Sequence, residues 1–325
     1  MSGSPTDTGN APRPSAKVLR AQAWSFIVLT VMTYLLVVFG AIVRAQGAGL
    51  ACPDWPLCFG ELVPALDFGV FFEWGHRALA GSISLILLGL SIWVASSAAG
   101  RKLLGKWLIA AWLVLLVQIV LGGLTVLQLL ASWTVTSHLL VGNSVALSFG
   151  LLAVLLWRGY TPQPRPAIRK PILRVLLPLT AALLVAQMAL GGLVSSQHAG
   201  LACVNWPACV GNLWFPTWEG PVGLHLMHRT TAYTVALSYV VVAVLAWDHD
   251  TLGKKARIAL ALVFVQVALG VANVLWQLPV EVTAGHSAVA AMLCLTTGLM
   301  VQDYLQRPAG GVESVPAQPS MGETA

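Results

Sequence analysis

Eight stretches of this chain run for about twenty residues or more with almost no acid or base in them, near 23–43, 72–97, 104–126, 133–157, 172–194, 222–247, 256–276 and 283–303. A helix needs about 20 apolar residues to cross the hydrocarbon of a bilayer, where every backbone polar group must be satisfied internally. Only 9% of the 325 residues are charged, against roughly a quarter in an ordinary soluble domain, which excludes a soluble globular protein. The apolar runs are continuous instead of alternating, which excludes a membrane β-barrel. The expected fold is an all-α polytopic membrane protein with eight spans. The first run is too long for a signal-peptide core and is kept as the first span.

The net charge of +6 points to topology and not to nucleic acid, because the bases sit in short clusters between spans. Arg13, Lys17 and Arg20 precede the first span; Arg101, Lys102 and Lys106 join the second and third; Arg158, Arg165, Arg169, Lys170 and Arg174 join the fourth and fifth; Lys254, Lys255 and Arg257 join the sixth and seventh; Arg307 follows the eighth. Alternating spans place all of them on one side, so both termini are expected in the cytoplasm. The opposite connections carry Asp54, Glu61, Asp67, Glu219 and Glu281 and are expected in the periplasm or an equivalent exterior.

An internal repeat organises the chain. GAIVRAQGAGLACPDWPLCFG at 40–60 matches GGLVSSQHAGLACVNWPACVG at 191–211 with an offset of 151, and Gln118–Gly122 and His138 match Gln266–Gly270 and His286 with an offset of 148. Each half holds four spans, so the halves have the same orientation and are expected as two tandem, pseudo-symmetric four-helix bundles related by an axis along the membrane normal. The expected divisions are a cytoplasmic tail at 1–22, a first bundle at 23–157, a Pro-rich linker at 158–171, a second bundle at 172–305 and a disordered tail at 306–325.

Four of the seven histidines occupy equivalent places: His76 and His138 in the first half, His228 and His286 in the second. Each is expected within about one turn of the outer start of an even-numbered span. A single intramembrane histidine is often a packing residue, but two facing imidazoles per bundle are the arrangement that holds a heme iron from both faces. Zinc competes less well, since a closed zinc site needs three or four converging ligands. Gly122-Gly123 and Gly191-Gly192 would let a large planar group or another helix approach. Glu73 stands three residues before His76, on the same helix face, where the second half has His225. It can exchange protons or accept a cation beside whatever His76 binds, or pair with Arg77. Arg44, Arg77 and Arg229 break the positive-inside pattern and suit anionic propionates, or lipid headgroups. Cys52 with Cys58 and Cys203 with Cys209 are expected as disulfides within the exterior loops; redox exchange is the weaker alternative. Cys294 is expected as a small buried residue, and His198 and His249 receive no role.

These residues resemble the heme A synthase family (Cox15/CtaA-type): AGLACPDWPLCFG followed by EWGHR, and the duplicate AGLACVNWPACVG followed by HLMHR, within a resemblance that covers about residues 20–305. The resemblance implies an inner-membrane oxidoreductase that converts the C8 methyl of heme O to the formyl of heme A by successive hydroxylation, the gem-diol dehydrating to the aldehyde, with electrons from a separate protein or quinol. It implies that His76 and His138 hold the substrate heme O, that His228 and His286 hold a heme b cofactor, and that Glu73 acts beside the oxidised methyl. It also implies heme O synthase and terminal oxidase assembly as partners, with the bilayer around the chain; Gly-rich helix faces add an expectation of homo-oligomers. Two other readings explain part of the pattern. A di-heme electron-transfer subunit accounts for four histidines but not for a glutamate in one half only. A heme exporter or chaperone draws on Trp55 and Trp206 in the outer loops, although Trp is ordinary at membrane interfaces.

Overall fold

The computed structural model describes residues 15–160 and 170–305; the N-terminal residues 1–14, most of the proposed linker and the 306–325 tail lie outside the described residues. The described residues form eight long helices: α1 Ala16–Ala45, α2 Phe68–Ala95, α3 Ala98–Leu127, α4 Ser132–Tyr160, α5 Leu173–Ser196, α6 Gly220–Leu245, α7 Asp250–Leu275 and α8 Val280–Leu305. A 3-10 turn, Ala199–Leu201, follows α5.

Seven of these are long and apolar enough to cross a membrane by length and composition; α6 falls outside that set. It occupies the place expected of a span, but His225, His228, Arg229 and a run of Thr dilute its apolar content. The chain is therefore a multi-pass helical membrane protein whose sixth helix, read as a span from its apolar run, holds the least apolar span-length stretch of the eight.

Several helices outrun their apolar stretches because capping residues start them early. The Asp67 carboxylate accepts the Val70 amide at 2.8 Å and begins α2 at Phe68, and Ser97 accepts from Gly100 at the start of α3. The even-numbered helices all start at the end that carries the disulfide loops. Their histidines accordingly lie about two turns inside, roughly 9–12 Å along the axis, and not the single turn that the apolar boundaries suggest.

Contacts link α1 to α2, α2 to α3, α3 to α4 and α4 back to α1; a second ring runs through α5, α6, α7 and α8 back to α5. Between the rings, α1 meets α8, α4 meets α5, and α4 meets α8. Two apolar clusters fill the rings at the end away from the loops. One is built on Phe26, Leu29, Leu87, Leu104 and Phe149, the other on Leu173, Leu177, Tyr239, Val242 and Met300. On each histidine helix, the first fully buried member of these clusters comes seven residues after the histidine: Ile83, Val145, Val235 and Leu293. The buried members of these clusters thus stop about two turns beyond each histidine along its own helix, with only partly buried side chains such as Leu36, Leu79 and Val289 packed nearer.

At the opposite end, the Arg158 guanidinium from α4 and Lys255 from α7 both pair with Asp303 on α8. This ion cluster joins the two rings.

Candidate functional site

Each of the four histidines is seated on a glycine of the preceding helix. A methyl group on Gly40 of α1 would stand 2.9 Å from Cε1 of His76; on Gly122 of α3, 3.1 Å from His138; on Gly191 of α5, 3.1 Å from His228; and on Gly270 of α7, 3.3 Å from His286. These are closer than ordinary carbon contacts, so each imidazole packs into a notch that only a residue without Cβ leaves open. The glycine pairs singled out in the sequence are thus occupied by the protein itself. Gly122 and Gly191 take histidine rings, Gly123 is covered by the indole of Trp55, and Gly192 by Thr136.

His76 and His138 lie on α2 and α4, diagonally across the first ring, and His228 and His286 lie on α6 and α8, diagonally across the second. The Nδ1 atoms of His76, His138 and His286 are buried without a hydrogen-bond partner. Among the described residues no three His, Cys, Asp or Glu side chains converge as a metal cluster.

Side-chain amides accompany the rings. Gln118 Nε2 lies 3.3 Å from Nε2 of His138, and Gln187 Nε2 lies 3.1 Å from Nδ1 of His228 while donating to its backbone carbonyl at 3.0 Å. The sequence reading used Gln118 and Gln266 as markers of the repeat, gave them no role, and passed over Gln187. The signal was available as Gln-x-x-x-Gly, which sets an amide one turn from three of the four histidine seats, at Gln118, Gln187 and Gln266.

Above the histidines, the loops are folded around arginine. Both cysteine pairs form disulfides, Cys52–Cys58 and Cys203–Cys209. Arg77 Nη1 donates to the carbonyls of Asp54 and Leu57, both at 2.7 Å, and Nη2 donates to the Cys52 carbonyl and to Glu73. Arg229 repeats the pattern on Cys203, Asn205 and Ala208. Glu73 is buried, with one oxygen on Arg77 and the other accepting the Cys52 amide at 2.8 Å. In its place the second half has buried His225, whose Nδ1 is 2.9 Å from the Ala199 carbonyl. Asp54 closes the tip of the first loop by accepting from Gly60 and Phe59, and the Gly60 hydrogen bond is the main reason its carboxyl lies below the usual carboxylate range.

The three arginines expected at propionates therefore have protein partners. Arg77 and Arg229 spend most of their donors on loop carbonyls, which no sequence pattern reveals. Arg44 Nε donates to Ser195 Oγ at 2.5 Å, and its Nη2 to the Ser195 carbonyl. Residues 44 and 195 are equivalent in the repeat, so this bond straddles the boundary between the halves. Of the histidines given no role, His198 holds a left-handed backbone conformation where the first repeat has Gly47, and His249 is buried at the start of α7.

A family model described as cytochrome oxidase assembly protein (COX15-CtaA) matches residues 22–68 and 66–297. The heme A synthase of Shewanella oneidensis is 29% identical over 318 residues, spanning 84% of this chain and 93% of that protein. The heme A synthase of Symbiobacterium thermophilum is 31% identical over 307 residues, 86% of this chain and 96% of that protein. That of Rhizorhabdus wittichii is 27% identical over 338 residues, 87% and 92% respectively.

Proposed function

Because the chain belongs to the COX15-CtaA family of cytochrome oxidase assembly proteins, we propose that it is a heme A synthase, a membrane oxidoreductase that converts the C8 methyl of heme O to the formyl of heme A. The observation that carries this reading is the fourfold histidine–glycine seat above the packed cores, with a buried carboxylate one turn from a single histidine. The alternatives of an electron-transfer subunit or a heme exporter are not favoured, since the relatives that match nearly end to end are heme A synthases.

The two contact rings support a pair of four-helix bundles, at about 23–157 and 172–305. Exchanging the halves turns the α1–α8 contact into the α5–α4 contact and leaves α4–α8 unchanged, as a two-fold pseudo-axis requires. The first bundle takes heme O between His76 and His138, and the second takes heme b between His228 and His286. When bound, heme b supplies one-electron chemistry. The disulfide loops face the periplasm and both termini the cytoplasm, as the distribution of bases directs. The electron donor, heme O synthase and terminal oxidase assembly complete the setting, and self-association remains part of the proposal.

Glu73 marks the substrate half. Arg77 and the Cys52 amide fix both of its oxygens, so the carboxyl group is held in one position and can stabilise positive charge that develops at the substrate edge. Arg44, Arg77 and Arg229 retain N–H groups outside the contacts described, and these are the donors available to propionates.

The test is extraction of the hemes from purified protein expressed with heme O, followed by chromatography and mass spectrometry. Hydroxymethyl or formyl heme is expected in the unmodified protein. In Glu73→Ala these products are lost while heme b is retained. Heme b alone in the unmodified protein, with heme O supplied and an electron donor active, would overturn the assignment.

A further inference from the structure

The four histidine seats share a backbone plan but not their side chains. On each odd-numbered helix, the residue four positions before the seat glycine is Leu36 in α1, Gln118 in α3, Gln187 in α5 and Gln266 in α7. Three seats thus carry an amide one turn from the glycine, and the first carries a leucine. Gln187 bonds the His228 ring and backbone together, Gln118 lies 3.3 Å from the His138 ring, and Gln266 holds the same position one turn before the seat of His286. At the first seat, Leu36 packs into the apolar cluster of its own bundle, and among the described residues no hydrogen bond reaches the ring of His76, whose Nδ1 is buried and bare.

Under the function proposed above, the two bundles face opposite demands. A resident heme must stay, whereas a substrate porphyrin must enter and its product leave at every turnover. Two axial histidines with equally firm support would hold both porphyrins alike. Outer-shell hydrogen bonds to a ligating imidazole fix its orientation, and their loss typically lowers metal affinity by roughly tenfold or more.

From this we infer that the pair Leu36 and Gln187 distinguishes the exchanging site from the permanent one: Gln187 locks His228 as a lasting axial ligand, and Leu36, by leaving His76 on packing alone, makes His76 the ligand that releases. Both are positioning residues, acting through the histidines. This inference rests on the assignment of the first bundle to substrate and the second to cofactor. It also gives a structural reason for the difference between Leu36 and Gln187, which occupy the same repeat position.

The experiment uses the full chain carrying heme O and heme b, with excess apomyoglobin added as acceptor. Transferred heme is followed at the Soret band, and its identity is established by extraction and mass spectrometry. In the unmodified protein, heme O and its products leave in a fast phase and heme b in a slow one. Leu36→Gln slows the fast phase about tenfold without altering the slow phase, and Leu36→Met, which keeps an apolar side chain, leaves it unchanged. Gln187→Leu accelerates heme b loss about tenfold and shifts its low-spin spectrum, and Gln187→Glu, which keeps the length of the side chain but has no N–H to donate to the His228 carbonyl, does not restore the retention. Folding is checked by the elution profile and by intact disulfides. Bound hemes whose transfer rates do not respond to positions 36 and 187 overturn this inference alone. An unmodified protein that binds no heme overturns it together with the proposed function.

Discussion

The glycine seats form a graded series, because the space left for a methyl group differs among them. In Gly40→Ala the new Cβ stands 2.9 Å from His76 Cε1, so the ring must retreat by 0.5 Å to reach ordinary contact at 3.4 Å; in Gly270→Ala the distance is 3.3 Å and the His286 ring gives way by only 0.1 Å. Overpacking of this kind costs about 1–3 kcal/mol at a tight site, and replacing a mid-helix glycine with alanine returns up to about 1 kcal/mol. That return stabilises the helix with or without porphyrin, so Gly40→Ala weakens ligation of the first-bundle porphyrin by the overpacking cost, about 1–3 kcal/mol or roughly 5- to 150-fold, since coordination tolerates displacements of only about 0.2 Å. Gly122→Ala and Gly191→Ala, both at 3.1 Å, fall between, and Gly270→Ala is close to neutral. The assay is a titration of purified variants with heme O and heme b, read from the low-spin Soret and α bands, with thermal unfolding recorded in parallel. If Gly270→Ala releases its heme while Gly40→Ala retains a normal low-spin spectrum, the notion that these glycines exist to admit the imidazoles is wrong.

Three further outcomes follow from the loops and the boundary between the halves. Arg44→Ala removes a charge-assisted tie to Ser195, worth about 1.5–3 kcal/mol, and lowers the unfolding temperature in detergent; Ser195→Ala keeps the carbonyl acceptor and should cost less, so equal losses would contradict the geometry. The double variant Cys52→Ser/Cys58→Ser loses about 2 kcal/mol of loop-closure restraint and becomes protease-sensitive around residues 52–62 before the helices do, as limited proteolysis with mass spectrometry will register. The Asp54 carboxyl is held below the usual range by the Gly60 and Phe59 amides, so its contribution is present above the unfolded-state value and is lost as pH falls through the lowered folded-state value. Slow hydrogen exchange at the Phe59 and Gly60 amides should therefore persist down through the ordinary carboxylate range; protection that vanishes near neutral pH would be incompatible with these contacts.

The helices were legible because membrane spans write their length directly into apolar runs, and the repeat was legible because the loop motif survives nearly residue for residue. Boundaries were less so: Asp67 lengthens α2 beyond its apolar stretch, and this moved His76 a turn deeper than hydrophobicity implied. The disulfides could be read from cysteine pairs in loops placed on the oxidising side, and the positions of the four histidines from the repeat. The roles of Arg77 and Arg229 could not, since their partners are main-chain carbonyls that come together only once the loop has closed over them. Leu36 and Gln187 lay in plain view at the repeat offset, but the difference gains meaning only when the amide is seen against His228.

The bond between Arg44 and Ser195 bears on how such a chain came to be one chain. Two residues at the same place in successive repeats can touch only beside the axis that relates those repeats. In a dimer of identical subunits, a residue there meets its own copy and must be compatible with itself; two guanidinium groups in that position would repel, and two serines would provide no cation. A donor on one side and an acceptor on the other require copies free to diverge, which fusion into a single polypeptide permits. A dimer assembled from two copies of either half alone would forfeit this clasp, whereas a permuted chain with the halves in reverse order would keep it.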